Sequence, residues 1–473
     1  MSSRSHGERQ EATPYGGIWP HYHGRTHMSG VISRRNLLGG AAGLGAAVAR
    51  SRISKRSTAF AAPNVIQDTG SKVKVLYWGS YSDVLGKAEQ AMVKMFNESQ
   101  DDVEVEYQFQ GTYEETAQKL TAALQAKQAP DVSVLSDVWW FKFYLNNTLA
   151  PLTDLLAANN IDTSDYVDSL YNEGVRNGIS YWLPFARSTP LFYFNKDMFA
   201  EVGLEAAPET WEELVAVAPE LVQKDGDTVT RSAFAHPNSA SYVAWLFQPV
   251  VWQYGGAYSD ADFNILLNQE KAVEAGNFYR SSVVDGWATT PADPETDFVN
   301  GLTASLMAST GSLRGITSDV GDSFGIGTGF LPKAENFGCC TGGAGLAILA
   351  GSPAEKQEAA FKYIAFATSP EGTEFWSQNT GYMPVRKSAV ESETMQQFFA
   401  ENPNFKTAVD QLPMTQPQDS ARVFIPNGDQ IIGKGLERIM VNREEVQPVF
   451  DEVAATLTEE AQPVLEALAA LQG

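Results

Sequence analysis

Between Lys72 and Leu135 the apolar residues recur first at every second position, then at helical spacing, then at every second position again, and this alternation constrains the fold more than any other feature. Lys72-Val73-Lys74-Val75-Leu76-Tyr77-Trp78 is β-rich and alternating, which predicts a strand, and Gly79-Ser80 ends it. Ala88, Met92, Met95 and Phe96 then recur as on one face of a helix. Val103, Val105, Tyr107 and Phe109 alternate with Glu104, Glu106, Gln108 and Gln110, predicting a second strand. Gly111-Thr112 opens a second helix carrying Ala117, Leu120 and Leu124, Pro130-Asp131 breaks it, and Val132 to Leu135 is a short apolar strand. The order β-α-β-α-β predicts an α/β chain built on a doubly wound, mainly parallel sheet. Such sheets bind ligands outside the carboxyl ends of their strands. Tyr113 and Asp137 sit at those ends, just past the second and third strands.

Later segments stay mixed. Ile179 to Phe185 and Leu191 to Phe194 are apolar and aromatic, and Pro184 and Pro190 bracket Phe185-Ala186-Arg187-Ser188-Thr189. Leu306-Met307-Ala308-Ser309 predicts a strand, Thr310-Gly311-Ser312 a turn, and Gly321 to Gly345 a glycine-rich run with short strands. From Ala354 onward helices dominate. With 473 residues, the chain is long enough for two lobes with separate cores.

The net charge is −23, which argues against nucleic-acid binding, because phosphate backbones need a basic face. The charge is uneven: residues 1–61 hold nine Lys/Arg and two acids. Within them, Ser33-Arg34-Arg35-Asn36-Leu37-Leu38 is a twin-arginine pattern, followed by the apolar run Leu37 to Ala49 and the A-x-A site Ala59-Phe60-Ala61. The basic residues Arg50, Arg52, Lys55 and Arg56 lie between the run and that site. The expectation is a twin-arginine export signal and N-terminal extension over 1–61, placing the protein in the periplasm or on the extracellular face of the membrane. No Cys stands near the cleavage point to carry a lipid anchor. Cys339 and Cys340 are adjacent and read as two buried thiols. With His236 the only His after the head, no metal site is expected.

Four motifs carry a family resemblance: Phe185 to Asp197, Met307-Ala308-Ser309-Thr310-Gly311-Ser312, Gly342-Gly343-Ala344-Gly345, and Thr380-Gly381-Tyr382-Met383-Pro384. In this order they resemble the extracellular solute-binding proteins of carbohydrate-type ABC importers, over essentially the whole chain from Lys72. The resemblance implies a periplasmic-binding-protein-like fold: two doubly wound lobes, a multi-crossing hinge, and a ligand cleft between the lobes. One lobe is expected to combine 72–185 with 313–364 and the other 190–306 with 370–473, with hinge crossings near 185–190, 306–312 and 363–370. The implied partners are a small polar ligand and membrane permease subunits. The chain is expected to act as a monomer without cofactor and to do no chemistry on its ligand.

Within the family the residues are most like those of the branch that binds glycerol phosphate. The ligand residues implied by that likeness are Tyr113, Asp137, Ser188, Ser309, Gly343, Tyr382 and Arg422. Asp137 stands where that branch has Glu, and a stacking Trp has no clear counterpart; Tyr242 and Trp245 are the nearest candidates. Arg422 offers a planar fork suited to phosphate. The expected ligand is therefore glycerol 3-phosphate or a glycerophosphodiester. A neutral sugar is the alternative, with Asp137 neutralising Arg422. A secreted hydrolase working through paired carboxylates is the remaining alternative.

Overall fold

The computed structural model describes residues 72–472 apart from Asn238, so the basic segment 1–61 lies outside the described residues. The first sheet runs in the order Val103–Phe109, Val73–Gly79, Val132–Ser136, Gly342–Ile348, Leu183–Ser188. Its first three strands are parallel, with Val75 opposite Val105 and Tyr77 opposite Val132. Parallel neighbours need a crossover, and the helices Asp83–Ser99 and Tyr113–Ala126 supply it. Val75, Tyr77, Val103 and Val105 are buried in one core with Met92, Phe96 and Tyr363, which is why their strands alternate. Val132–Ser136 lies in mid-sheet and is buried at every position, which is why it reads as an uninterrupted apolar run.

The second sheet runs Ala288–Thr289, Phe234–Ala235, Ser305–Ser309, Pro190–Asn195, Ile326–Gly329. Both sheets are mixed rather than mainly parallel. Gly342–Ile348 is antiparallel to both its neighbours, and Pro190–Asn195 is antiparallel to Ser305–Ser309 and to Ile326–Gly329.

The chain passes from one sheet to the other across a single residue. Leu183–Ser188 belongs to the first sheet, Pro190–Asn195 to the second, and Thr189 alone stands between them. Thr189 is buried; its hydroxyl accepts from Gln411 at 3.1 Å and its carbonyl from the Thr310 amide at 3.2 Å. The chain returns to the first sheet between Ile326–Gly329 and Gly342–Ile348.

Two placements depart from the expected division. The segment 313–364 does not stay together: Ile326–Gly329 joins the second sheet, and only Gly342–Ile348 returns to the first. The packing reason is Gly327, where a Cβ would come within 2.1 Å of the Phe194 ring, so this strand lies tightly on Pro190–Asn195. Nor does the chain change cores at 363–370. Helix Pro370–Thr380 packs on Asp83–Ser99, and its Trp376, fully buried, stacks on Phe185 at 4.4 Å. Helix Pro403–Gln411 is the first later element on the second sheet, where it packs on Ile326–Gly329 and Pro190–Asn195 and Gln411 donates to the Pro190 carbonyl at 2.8 Å.

Candidate functional site

A cavity of about 550 Å³ is lined by residues from both sheets and from the C-terminal segments, and all nine residues expected from the sequence reach it. Tyr113 opens its helix behind Thr112, whose side chain and Glu115 form a reciprocal cap. Its hydroxyl meets that of Tyr81 at 2.7 Å. Tyr382 follows Gly381, which takes φ +105° at the end of helix Pro370–Thr380, and its ring lies 5.9 Å from Trp376 at 11°. Phe185, Trp376, Tyr382 and Tyr81 thus form one continuous aromatic support. Burial raises the Tyr113 and Tyr382 hydroxyls, Tyr382 to about 12, so both remain neutral donors.

Gly343 has φ +101°, and a Cβ there would stand 2.1 Å from the Ala186 carbonyl oxygen. The glycine is therefore required by the backbone itself. Its carbonyl accepts from the Asp137 amide at 2.9 Å, which fixes the start of the loop after the third strand. Ser188 ends its first-sheet strand opposite Gly342. Ser309 ends its second-sheet strand, and its hydroxyl accepts from the Gly311 amide at 3.0 Å while its own hydrogen is left for another acceptor.

Arg422 is buried, at 4% exposure, in the short helix Ser420–Val423. Its guanidinium lies 3.6 Å from Asp137, and Gln418 bridges the two, accepting from Arg422 and donating to Asp137. The neighbouring Asp419 is not its partner: that carboxylate accepts from the Tyr258 amide at 2.6 Å and from the Trp252 indole at 3.1 Å. Arg422 Nε has no partner within the described residues.

Tyr242 and Trp245 stand 5.8 Å apart on one helix, Ala240–Gln253. The Tyr242 hydroxyl accepts from the Ser309 amide at 2.7 Å, and the Trp245 indole donates to the Thr341 carbonyl at 3.1 Å. Gly342 lies against the Trp245 ring, where a Cβ would come within 2.5 Å.

Other lining residues were not foreseen. Glu295 and Asp429 line the cavity; Glu295 accepts from Ser312 at 2.7 Å, and Asp429 accepts from Ser241. Burial raises the Glu295 carboxyl above its ordinary range, only partly offset by hydrogen bonds from the Ser312 and Tyr242 hydroxyls, and the Asp293 carboxylate adds to the rise. In sequence Glu295 is an ordinary acid in the first turn of a helix, where negative charge suits the dipole, so nothing local marks it. Cys339 and Cys340 are free and buried. Among the described residues no cluster of His, Cys, Asp and Glu is arranged to hold a metal, and no helix is long and apolar enough to cross a membrane.

Residues 91–407 match the family of bacterial extracellular solute-binding proteins. The chain is 26% identical to the sn-glycerol-3-phosphate-binding periplasmic protein UgpB of Pectobacterium atrosepticum, covering 79% of this chain and 88% of that one. It is also similar to the crystal structure of UgpB from Mycobacterium tuberculosis in complex with glycerophosphocholine, at 40% identity and TM-score 0.78, covering 84% of this chain and all of that one. The GacH receptor of Streptomyces glaucescens shares the fold at 19% identity and TM-score 0.72, covering 82% and 98% of the two chains. These relatives are a periplasmic binding protein, a ligand-bound UgpB and a receptor. The chain belongs to the bacterial extracellular solute-binding protein family.

Proposed function

We propose that this protein is the receptor of an ABC importer for sn-glycerol 3-phosphate or a glycerophosphodiester, which it captures between its two sheets and delivers to a membrane permease. The observation that carries the reading is Arg422: a buried guanidinium on a cavity also lined by Ser188, Ser309 and Gly343, in a chain 40% identical to a UgpB crystallised with glycerophosphocholine. A phosphate there would accept from Arg422, whose charge-assisted hydrogen bonds contribute about 1.5–3 kcal/mol each. Tyr113, Asp137 and Tyr382 are the proposed contacts from the first-core side, with Tyr242 and Trp245 from the second. Closure would be a population shift about Thr189 and the other segments that join the two sheets, driven by a ligand that touches both sides. The reading includes export by the twin-arginine route, supported by Arg34-Arg35, the apolar run after it and Ala59-Phe60-Ala61.

One observation favours a neutral sugar instead: Asp137, 3.6 Å from Arg422, gives the guanidinium a counter-charge from the protein itself. Calorimetric titration with glycerophosphocholine, sn-glycerol 3-phosphate and maltose separates the two. Binding of the phosphate compounds without maltose is the expected outcome; binding of maltose alone would replace the phosphate reading with the sugar one.

A further inference from the structure

The segment that carries Arg422 touches both sides of the molecule. Ala421 and Ile425 are buried in a core with Phe192 and Phe234 of the second sheet, and the Ala421 amide donates to the Ser259 hydroxyl at 2.8 Å. Phe424 packs instead on the cluster that holds Leu135 and Ala347 of the first sheet, with its ring 4.4 Å from that of Phe141. The Arg176 guanidinium lies 4.9 Å from the Phe424 ring and 5.2 Å from the Phe141 ring, an attractive placement of a cation on aromatic faces. Phe263 joins the same contact. Its ring is 6.5 Å from that of Phe424, and it packs on both the second-sheet core and the first-sheet cluster. It does so at φ +65°, a backbone conformation that is costly for a bulky residue. Asp260 imposes the turn, accepting from the Asp262 and Asn264 amides, each at 2.9 Å.

This contact adjoins the ligand cavity without entering it. Phe424 follows Arg422 by two residues and Phe141 follows Asp137 by four, yet Phe141, Phe263 and Phe424 are absent from the cavity lining. Two further cavities, of about 550 and 280 Å³, flank Phe424. Protein cores are close-packed, whereas a contact that forms and breaks needs such space around it. Building on the reading that a ligand is captured between the two sheets, we propose that Phe424 is a positioning residue. With Phe141, Phe263 and Arg176 it clasps the two sides together beside the cavity and holds Arg422 where the ligand meets it. Because the clasp touches no part of the ligand, it favours closure equally for every ligand and sets affinity without choosing among ligands.

The test is titration of wild type, Phe424→Ala, Phe263→Gly and the double variant with glycerophosphocholine and sn-glycerol 3-phosphate, beside thermal melts of the ligand-free proteins. Maltose takes their place if wild type binds that sugar alone. Phe424→Ala should weaken both compounds by the same factor, about tenfold for a tenfold smaller closed population. Phe424→Leu, which keeps apolar bulk, should lose less and serves in its place if the alanine variant does not fold. Phe263→Gly should also weaken both, yet melt no lower than wild type when ligand-free, because glycine takes φ +65° without strain. The double variant should bind little worse than Phe424→Ala, since both changes remove one contact. Four results overturn the clasp and leave the capture reading standing: unchanged affinity in the Phe424 variant, a changed ratio between the two compounds, losses that add in the double variant, or weaker binding in Phe263→Gly only alongside a lower melting temperature. Wild type that binds none of the three compounds overturns the capture reading and the inference with it.

Discussion

Replacing Arg422 by alanine is expected to weaken binding of sn-glycerol 3-phosphate and glycerophosphocholine by about 2–5 kcal/mol, the range for truncating one partner of a buried charge pair. That is roughly 30-fold to several-thousand-fold in Kd. Two effects add. The phosphate loses its only guanidinium among the lining residues, and Asp137, which is 7% exposed, is left facing the ligand's negative charge with only Gln418 to donate to it. Arg422→Lys should recover little of the loss, because an ammonium lacks the planar fork that can reach both Gln418 and a phosphate oxygen. Calorimetry reads all three proteins. A loss under about tenfold for Arg422→Ala would mean that the arginine serves the fold through Asp137 and not the ligand.

The second large effect lies beneath the site. Trp376→Ala should destabilise the protein by about 3–5 kcal/mol, the usual cost of emptying a buried tryptophan position. Trp376 is fully buried between Phe185, at 4.4 Å, and Tyr382, at 5.9 Å, so its loss removes the support of a cavity-lining ring as well as core volume. Trp376→Phe should cost less: a ring remains to stack, and the indole N–H that it removes has no hydrogen-bond partner among the described residues. Urea unfolding measures the stability and titration the binding. If Trp376→Ala lowers stability as expected but leaves affinity unchanged, the aromatic column supports the core without positioning Tyr382.

The parts of this fold that could be read from the sequence are those whose pattern is local. The three parallel strands and their two helices lie between Val73 and Ser136, each element buries one periodic face, and the strands fall where the alternation puts them. Sheet membership farther along depends on distant pairing. Ile326–Gly329 and Gly342–Ile348 both lie in or just beyond a glycine-rich run, yet one pairs with Phe192 to Asn195 and the other with Val132 to Ser136. No local period distinguishes them. Motif order places helix Pro370–Thr380 with the other lobe for a similar reason: its capping residues mark its ends, Ser369 and Gly381, but what decides its partner is the stack of Trp376 on Phe185, far away in sequence.

The cavity divides in the same way. Tyr113 and Asp137 follow from the rule for strand ends, whereas Ser188, Ser309, Gly343, Tyr382 and Arg422 came from family resemblance. Glu295 and Asp429 had neither signal, since each looks like an acid placed to complement a helix start. Gln418 was equally hidden, because its role exists only where Asp137 and Arg422 meet.

The most direct test of the central claim is a crystal structure of this protein grown with glycerophosphocholine. The account predicts the phosphate within hydrogen-bond distance of Arg422 and of at least one of Ser188, Ser309 and the Gly343 amide, with the glycerol against Tyr113 and Tyr382. A phosphate bound elsewhere, with Arg422 still turned to Asp137 and Gln418, would contradict it.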